Sequence, residues 1–86
     1  MTYTYSNRGT CSAATTVELN PDHTISSVAV LGGCNGNLQG IGRLLQGMKA
    51  EEAIARMEGI RCGSKPTSCP DQIAHALRGA LAQLEG

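Results

Sequence analysis

The residues of this chain whose type could do chemistry are its four cysteines, Cys11, Cys34, Cys62 and Cys69. Three of them lie in stretches rich in glycine, serine, threonine, asparagine and lysine, and the fourth stands at the start of a predicted helix. In a reducing compartment, clustered thiols more often hold a metal or do redox chemistry than fill a core. Four thiolates in a tetrahedral shell suit Zn²⁺ or iron. We therefore predict a metal site, with zinc as the first choice and iron or an iron–sulfur cluster as the alternative, formed by all four cysteines.

Two of the four sulfurs are predicted to lie where a thiolate is stabilised. Cys34 precedes the N-terminus of a predicted helix, and Cys69 occupies the predicted N-cap of the last helix, with Pro70 as its first residue. A helix N-terminus carries partial positive charge and unsatisfied N–H groups, and both favour a sulfur anion. Such positions suit metal ligation or nucleophilic attack.

The spacing of the cysteines leaves alternatives open. The chain has no Cys-x-x-Cys pair, and its gaps fit no zinc finger or ribbon. Four unconnected thiols, some of them buried as small hydrophobes, are one alternative. A disulfide between Cys62 and Cys69, across a short loop, is another.

Other polar side chains predict less. We expect His23, in a hairpin turn, and His75, off the apolar stripe of the last helix, to face solvent. The dipole of the last helix accounts for Asp71 in its first turn. Ser12 and Ser68 have no His–Asp constellation around them, so we predict no hydrolase triad and no catalytic residue.

Length and composition limit the protein classes. Residues 1–86 form one domain, and the absence of Phe and Trp predicts a thin core that a metal, a disulfide or weak self-association would support. Seven basic and seven acidic side chains give no net charge, which argues against a nucleic-acid or membrane surface. No apolar run approaches the ~18 residues of a membrane span. The polar N-terminus is not a signal peptide, so we predict a cytoplasmic protein, either a monomer or a weak homo-oligomer.

The hydrophobic pattern predicts an α+β fold. Alternation predicts three antiparallel strands over residues 2–6, 13–20 and 24–31, with a bulge near Ser26-Ser27. The period then changes to 3.6. A first helix is predicted around an apolar stripe from Leu38 through Leu44 to Met48, and its glycines, Gly40 and Gly42, indicate close packing. A second helix is predicted over residues 50–58, and a third from Pro70 onward, with a buried stripe of Ile73, Leu77, Ala80, Leu81 and Leu84. We expect the three helices to cover one face of the small sheet. The cysteines should gather at the end of the sheet toward which the helix N-termini point.

Three segments, read together, resemble the TSCPD domain family over residues 3–84. They are Gly9-Thr10-Cys11-Ser12, Gly32-Gly33-Cys34-x-Gly36-Asn37-Leu38-x-Gly40-Ile41 and Cys62-Gly63-x-Lys65-x-Thr67-Ser68-Cys69-Pro70-Asp71-Gln72. In that family the domain is an appendage of adenosylcobalamin-dependent ribonucleotide reductases and also occurs as small stand-alone proteins, which this chain resembles most closely. The resemblance implies an accessory role beside a ribonucleotide reductase or another redox protein. It does not imply a complete enzyme, because the catalytic part of those reductases is a large barrel that 86 residues cannot build. One alternative role is a thiol relay, in which Cys62 and Cys69 cycle between dithiol and disulfide.

The order of the predicted elements also resembles that of NifU-like iron–sulfur scaffolds. By that order, Cys11, Cys34 and Cys69 would correspond to the three cluster-ligating cysteines. The aspartate that usually follows the first scaffold cysteine is replaced here by Ser12, and Cys62 offers a fourth sulfur. The likeness implies an iron–sulfur or sulfur-transfer scaffold as a further alternative.

Overall fold

A three-stranded sheet is followed by three helices in the computed structural model, which describes residues 1–10, 12–33 and 35–85. The elements are β1 (Thr2–Ser6), β2 (Ser12–Leu19), β3 (Ile25–Gly32), α1 (Asn35–Leu45), α2 (Ala50–Met57) and α3 (Cys69–Glu85). The predicted α+β fold is confirmed. The last helix begins one residue earlier than predicted.

The sheet is antiparallel, with β2 between β1 and β3. Tyr3 pairs with Val17, and Val17 pairs with Val28, so these side chains share the face that the helices cover. The opposite face carries exposed polar residues such as Thr4 and Thr16, whose hydroxyl oxygens lie 3.1 Å apart. This separation of apolar and polar faces follows from the alternation in the sequence.

The predicted bulge in β3 is confirmed. Glu18 pairs with Ser27, whereas the next residue, Leu19, pairs with Ile25, so Ser26 is the extra residue of β3. The bulge brings Ile25, which is fully buried, onto the face that Val28 shares despite the odd spacing between them.

The helices divide the sheet between them. Helix α3 lies over β1 and β2, α1 lies on β3, and α2 packs against α3. The predicted stripe of α3 is confirmed at Ile73, Leu77 and Ala80, which are fully buried, whereas Leu81 and Leu84 are only half-buried. The predicted stripe of α1 is wrong at Leu44, which is 78% exposed, because α1 rests on one strand and covers only a narrow apolar row.

Two glycines allow helices to approach their neighbours closely. A Cβ on Gly42 of α1 would lie 2.8 Å from the carbonyl oxygen of Val28, and a Cβ on Gly79 of α3 would lie 2.5 Å from the hydroxyl oxygen of Tyr3. The helix glycines of α1 were expected to mark close packing. This is confirmed for Gly42 and wrong for Gly40, which has open space around it.

The turn between β2 and β3 is fixed to the start of α2. The Asp22 carboxylate accepts hydrogen bonds from the Thr24 N–H at 3.0 Å and from the Thr24 hydroxyl at 2.6 Å. His23 has a positive φ of 74°, its Nδ1 lies 2.5 Å from Glu51 Oε2, and its carbonyl accepts from the Ala50 N–H. The expectation that His23 is merely solvated is therefore wrong, because α2 begins against it.

Candidate functional site

Cys69, the first residue of α3, contacts the start of β2. Its sulfur lies 3.2 Å from Ser12 Oγ, and Ser12 is only 4% exposed. Ser12 in turn pairs with Gly32 at the end of β3. The start of β2, the end of β3 and the start of α3 therefore meet at one end of the sheet, where the cysteines were expected to gather. We call this region, together with the β1–β2 turn and the loop over residues 60–68, the cysteine end.

The helix cap at this end differs from the prediction. The Ser68 hydroxyl accepts a hydrogen bond from the Asp71 N–H at 3.2 Å, and the Ser68 carbonyl accepts from the Gln72 N–H at 2.9 Å. Ser68 is therefore the N-cap, Cys69 is the first helical residue and Pro70 the second. A serine oxygen is a better acceptor than a thiol, so the cap does not use the Cys69 sulfur, and this sulfur contacts Ser12 instead.

A network of hydrogen bonds orients the Ser12 hydroxyl. The Thr15 hydroxyl donates to Asn7 Oδ1 at 2.9 Å, which fixes the Asn7 amide so that its Nδ2 donates to Ser12 Oγ at 2.8 Å. The Thr10 hydroxyl lies 2.9 Å from Ser12 Oγ and also donates to the Ser12 carbonyl at 3.2 Å. Because Ser12 Oγ accepts from Asn7, its single hydrogen is free for Thr10 or for the Cys69 sulfur. A thiolate at Cys69 would take that hydrogen in a charge-assisted bond.

The rest of the Thr67–Gln72 motif forms a second, buried network. Asp71 is 6% exposed, and its carboxylate accepts from the Gly59 N–H at 2.8 Å and from the Thr67 hydroxyl at 2.5 Å. Thr67 Oγ1 accepts from the Gln72 side-chain amide at 2.9 Å, and Gln72 Oε1 accepts from the Arg8 N–H at 2.9 Å. The helix dipole alone therefore does not explain why an aspartate stands at position 71, in the first turn of α3. Its carboxylate fixes the end of α2, and Gln72 fixes the β1–β2 turn.

His75 completes the surroundings of Asp71. His75 Nε2 lies 3.5 Å from Asp71 Oδ2, and the His75 ring stacks on Tyr5 with 6.1 Å between centroids. Burial by itself raises the pKa of the Asp71 carboxyl, but the hydrogen bonds from Thr67 and Gly59 and the nearby His75 outweigh it and lower that pKa. The prediction that His75 faces solvent holds for part of the ring only, since its side chain is 42% exposed.

Cys62 is exposed in a closed loop of the cysteine end. Its N–H donates to the Thr67 carbonyl at 3.1 Å, and its carbonyl accepts from the Lys65 N–H at 3.0 Å. Gly9 of the β1–β2 turn faces this loop closely, since a Cβ there would lie 3.0 Å from Thr67 Cγ2. Cys62 and Cys69 are both free thiols, so the alternative of a disulfide between them is not what the structure contains.

The other two predicted ligands, Cys11 and Cys34, lie outside the described residues. Over residues 1–10, 12–33 and 35–85, the structure contains no group of three His, Cys, Asp or Glu side chains that could hold a metal ion. The site formed by all four cysteines therefore stays a prediction.

Three polar residues of the cysteine end were given no role from the sequence: Asn7, Thr67 and Gln72. Gln72 lies one helical turn before the buried Ala76, so its position on a buried face could have been read from the spacing. The roles of Asn7 and Thr67 depend on contacts across the chain that no local pattern reveals.

A family model of the TSCPD domain matches residues 1–81. The chain belongs to the TSCPD domain family. Searches of the curated proteins and of the solved structures found no match.

The lengths and hydropathies of the helices bear on whether any of them could span a membrane. Within the described part of the chain, none combines the length and the hydropathy that crossing a bilayer requires.

Proposed function

We propose that this TSCPD domain is an accessory module whose four thiolates, at Cys11, Cys34, Cys62 and Cys69, bind one zinc ion in the cytoplasm. Its partner would be a ribonucleotide reductase or another redox protein, a proposal that family membership supports. The observation that carries the metal proposal is the contact between Ser12 and Cys69 at 3.2 Å.

That contact supports convergence of the four cysteines. Ser12 directly follows Cys11, and its partner in the sheet, Gly32, stands two residues before Cys34. Cys62 belongs to the loop that ends at the Ser68 cap of α3. Each cysteine is thus within a short stretch of chain from a described contact of the cysteine end.

The donor set suits zinc. Four sulfur ligands are typical of closed, structural zinc sites, and the partly exposed Cys69 sulfur has a hydroxyl beside it that can donate to a ligating thiolate. When bound, the ion supplies a cross-link between distant parts of the chain. Structural zinc contributes an apparent ~10–16 kcal/mol of binding free energy in zinc-finger peptides, which would support a core without Phe or Trp. The free thiols of Cys62 and Cys69 fit a reducing compartment.

The test is the metal content of protein purified without an affinity tag and without added metal. We expect close to one zinc per chain, lost to less than about a fifth when any one of the four cysteines is replaced by serine. Cys69→Ser is the sharpest variant, because the serine can still donate to or accept from Ser12. Ser68→Ala is the matched control, since it removes the cap of α3 but no sulfur, and it should keep the full metal content. Wild-type protein with less than about a tenth of an equivalent of zinc and iron together would overturn the proposal.

A thiol relay is the second candidate, and one observation favours it. Cys62 and Cys69 are both free and both at least partly accessible. In a relay, the two thiols would give up two electrons and two protons to a partner disulfide, which becomes two thiols, while Cys62 and Cys69 form a disulfide. Thiol titration with and without a chelator separates the candidates. Two sulfurs that oxidise reversibly without metal release support the relay, whereas thiols that become reactive only after chelation support the metal site.

A further inference from the structure

The zero net charge of the chain conceals an uneven distribution of cations. Arg8 in the β1–β2 turn and Arg61 and Lys65 in the loop of Cys62 are all exposed. Within the residues that the structure describes, none of these three side chains has a hydrogen-bond or ion-pair partner. The backbone contacts of the cysteine end place the two segments beside each other, because Gly9 approaches Thr67 and the loop closes on Thr67. We call these three residues the basic rim.

The carboxylates of the chain do not neutralise the basic rim. Asp71, the acid of the cysteine end, is buried and already bound to Thr67, Gly59 and His75. The exposed acids of α2 and of its C-cap are engaged elsewhere: Glu51 with His23, Glu52 with Arg56 and Glu58 with Arg78. The basic rim therefore presents uncompensated positive charge to solvent.

An apolar groove lies next to the basic rim along the chain, since its residue Ile60 precedes Arg61. It lies between α1, α2 and the start of α3, and its apolar lining includes Ile41, Leu44, Met48, Met57, Ile60 and Pro70. Arg56, which is paired with Glu52, also lines it. Leu44 is 78% and Ile60 is 43% exposed, so two large apolar side chains of the groove face solvent. The groove is continuous with the cysteine end along the chain, since Ile60 precedes Arg61 and Pro70 follows Cys69.

We propose that the groove and the basic rim together form a docking surface for a partner protein, which contributes an amphipathic helix with an apolar stripe and acidic flanks. The apolar stripe would cover Leu44 and Ile60, and the carboxylates would pair with the basic rim. Charge complementarity decides the occupant, because the three cations of the basic rim have no carboxylate partner among the described residues. The proposal rests on the accessory role proposed above, in that the surface serves another protein.

Nucleic acid fits the same surface less well. Three cations would neutralise few phosphates, and phosphate contacts supply most of the affinity of non-specific binding. The aromatic side chains, Tyr3 and Tyr5, pack against the core under α3 and offer no platform for bases. The exposed apolar side chains of the groove instead suit a protein segment.

The probe is a fluorescein-labelled synthetic peptide of about 14 residues, with leucines at helical i, i+3, i+4 and i+7 spacing and glutamates on the other positions. We expect it to bind the wild-type chain. Affinity should fall about tenfold or more when Arg61 and Lys65 are both changed to glutamate, and also with Leu44→Lys. Raising the salt from about 50 to about 300 mM should weaken binding to the wild type and have a much smaller effect on the glutamate variant.

Matched controls test the location of the surface. Arg43→Glu makes one of the same charge reversals on the other side of α1, where Arg43 lies with Ser27 and Gln39, and is compared with Arg61→Glu alone. Leu31→Lys places a lysine at a leucine that is 69% exposed on the far face of the sheet. Both controls should leave peptide binding within about twofold of wild type. The same peptide with lysines in place of the glutamates should not bind.

Several outcomes would overturn the docking proposal. The first two are the absence of peptide binding up to about 1 mM and an equal loss of affinity in the control variants. The other two are tighter binding of a single-stranded oligonucleotide than of the peptide, and self-association of the chain with the groove covered by a second copy. Zinc content, measured on the same samples, keeps this test separate from the metal proposal. Loss of peptide binding in the groove and rim variants, with their zinc content unchanged, supports the location of the docking surface. A wild-type chain that binds the peptide but no zinc overturns the metal proposal alone.

Discussion

The Ser12 hydroxyl oxygen lies 3.2 Å from the Cys69 sulfur, although 57 positions separate the two residues in the chain. Ser12 is buried, so water cannot readily replace this contact. The contact joins the first residue of β2 to the first residue of α3, and it explains why the residue after Cys11 is a hydroxyl rather than an apolar side chain.

Ser12→Ala should lower the free energy of unfolding by about 1–3 kcal/mol, because the Asn7 amide and the Thr10 hydroxyl would each lose a buried partner. Urea unfolding measures the change. Thr4→Ala is the control, since it removes an exposed strand hydroxyl bonded to Thr16 and should cost less than about 0.5 kcal/mol. Equal losses in the two variants would contradict the network as described.

Ser68→Ala should cost about 0.5–2 kcal/mol of stability, since the Asp71 N–H would lose its acceptor at the start of α3. Cys69→Ala provides the contrast, measured on metal-free protein so that ligation does not contribute. It leaves the cap in place and should cost less than Ser68→Ala. A larger loss of stability with Cys69→Ala than with Ser68→Ala would indicate that Cys69 is the cap.

The stability that Asp71 contributes should depend on pH. Its pKa in the folded protein is lowered, so its contribution is complete above its unfolded pKa of about 4 and is lost as the pH falls through the lower folded value. Asp71→Asn removes that contribution. Urea unfolding between about pH 7 and pH 2 should therefore show the largest gap between wild type and variant at neutral pH, and a gap that narrows below about pH 4. A constant gap would show that the charge of Asp71 is not what stabilises the fold.

Gly42→Ala should lower stability by about 1–3 kcal/mol, because the new methyl would lie 2.8 Å from the Val28 carbonyl oxygen and force α1 away from β3. Gly40→Ala is the matched control in the same helix. It has open space and should stabilise the chain by up to about 1 kcal/mol through helix propensity alone. Thermal unfolding of the two variants checks the opposite signs, and stabilisation by Gly42→Ala would show that α1 does not pack closely on Val28 at this glycine.

The elements of the fold could be predicted because their signals are local. Alternation defines the strands, and the parity break between Ile25 and Val28 places the bulge at Ser26. Leu44 was assigned to the core wrongly, since periodicity gives the apolar row of a helix but not how much of the row a neighbour covers. The predicted cap, Cys69, was wrong, because Pro70 was taken as the first helical residue whereas it is the second, which makes Ser68 the cap.

For the candidate site, the sequence predicted one end of the sheet as the place where the cysteines gather, and the structure describes Cys62 and Cys69 in that region. Helix N-termini and glycine-rich turns pointed to one end of the sheet, and the contact of Ser12 with Cys69 lies there. The hydrogen bonds from the Gly59 N–H to Asp71 and from the Arg8 N–H to Gln72 join distant segments of the chain, and a local sequence pattern does not show which distant segments lie close together. Cys11 and Cys34 lie outside the described residues, so their place in the site stays a prediction.

The bond between the Arg8 N–H and Gln72 spans 64 positions and has a consequence for synthesis of the protein. During translation, the β1–β2 turn leaves the ribosome long before its partner in α3 exists. The cysteine end therefore cannot close until α3 has emerged, and until then the Cys62 thiol belongs to a nascent chain without its final neighbours. Any metal delivery or thiol protection during that interval must come from the cell rather than from the fold.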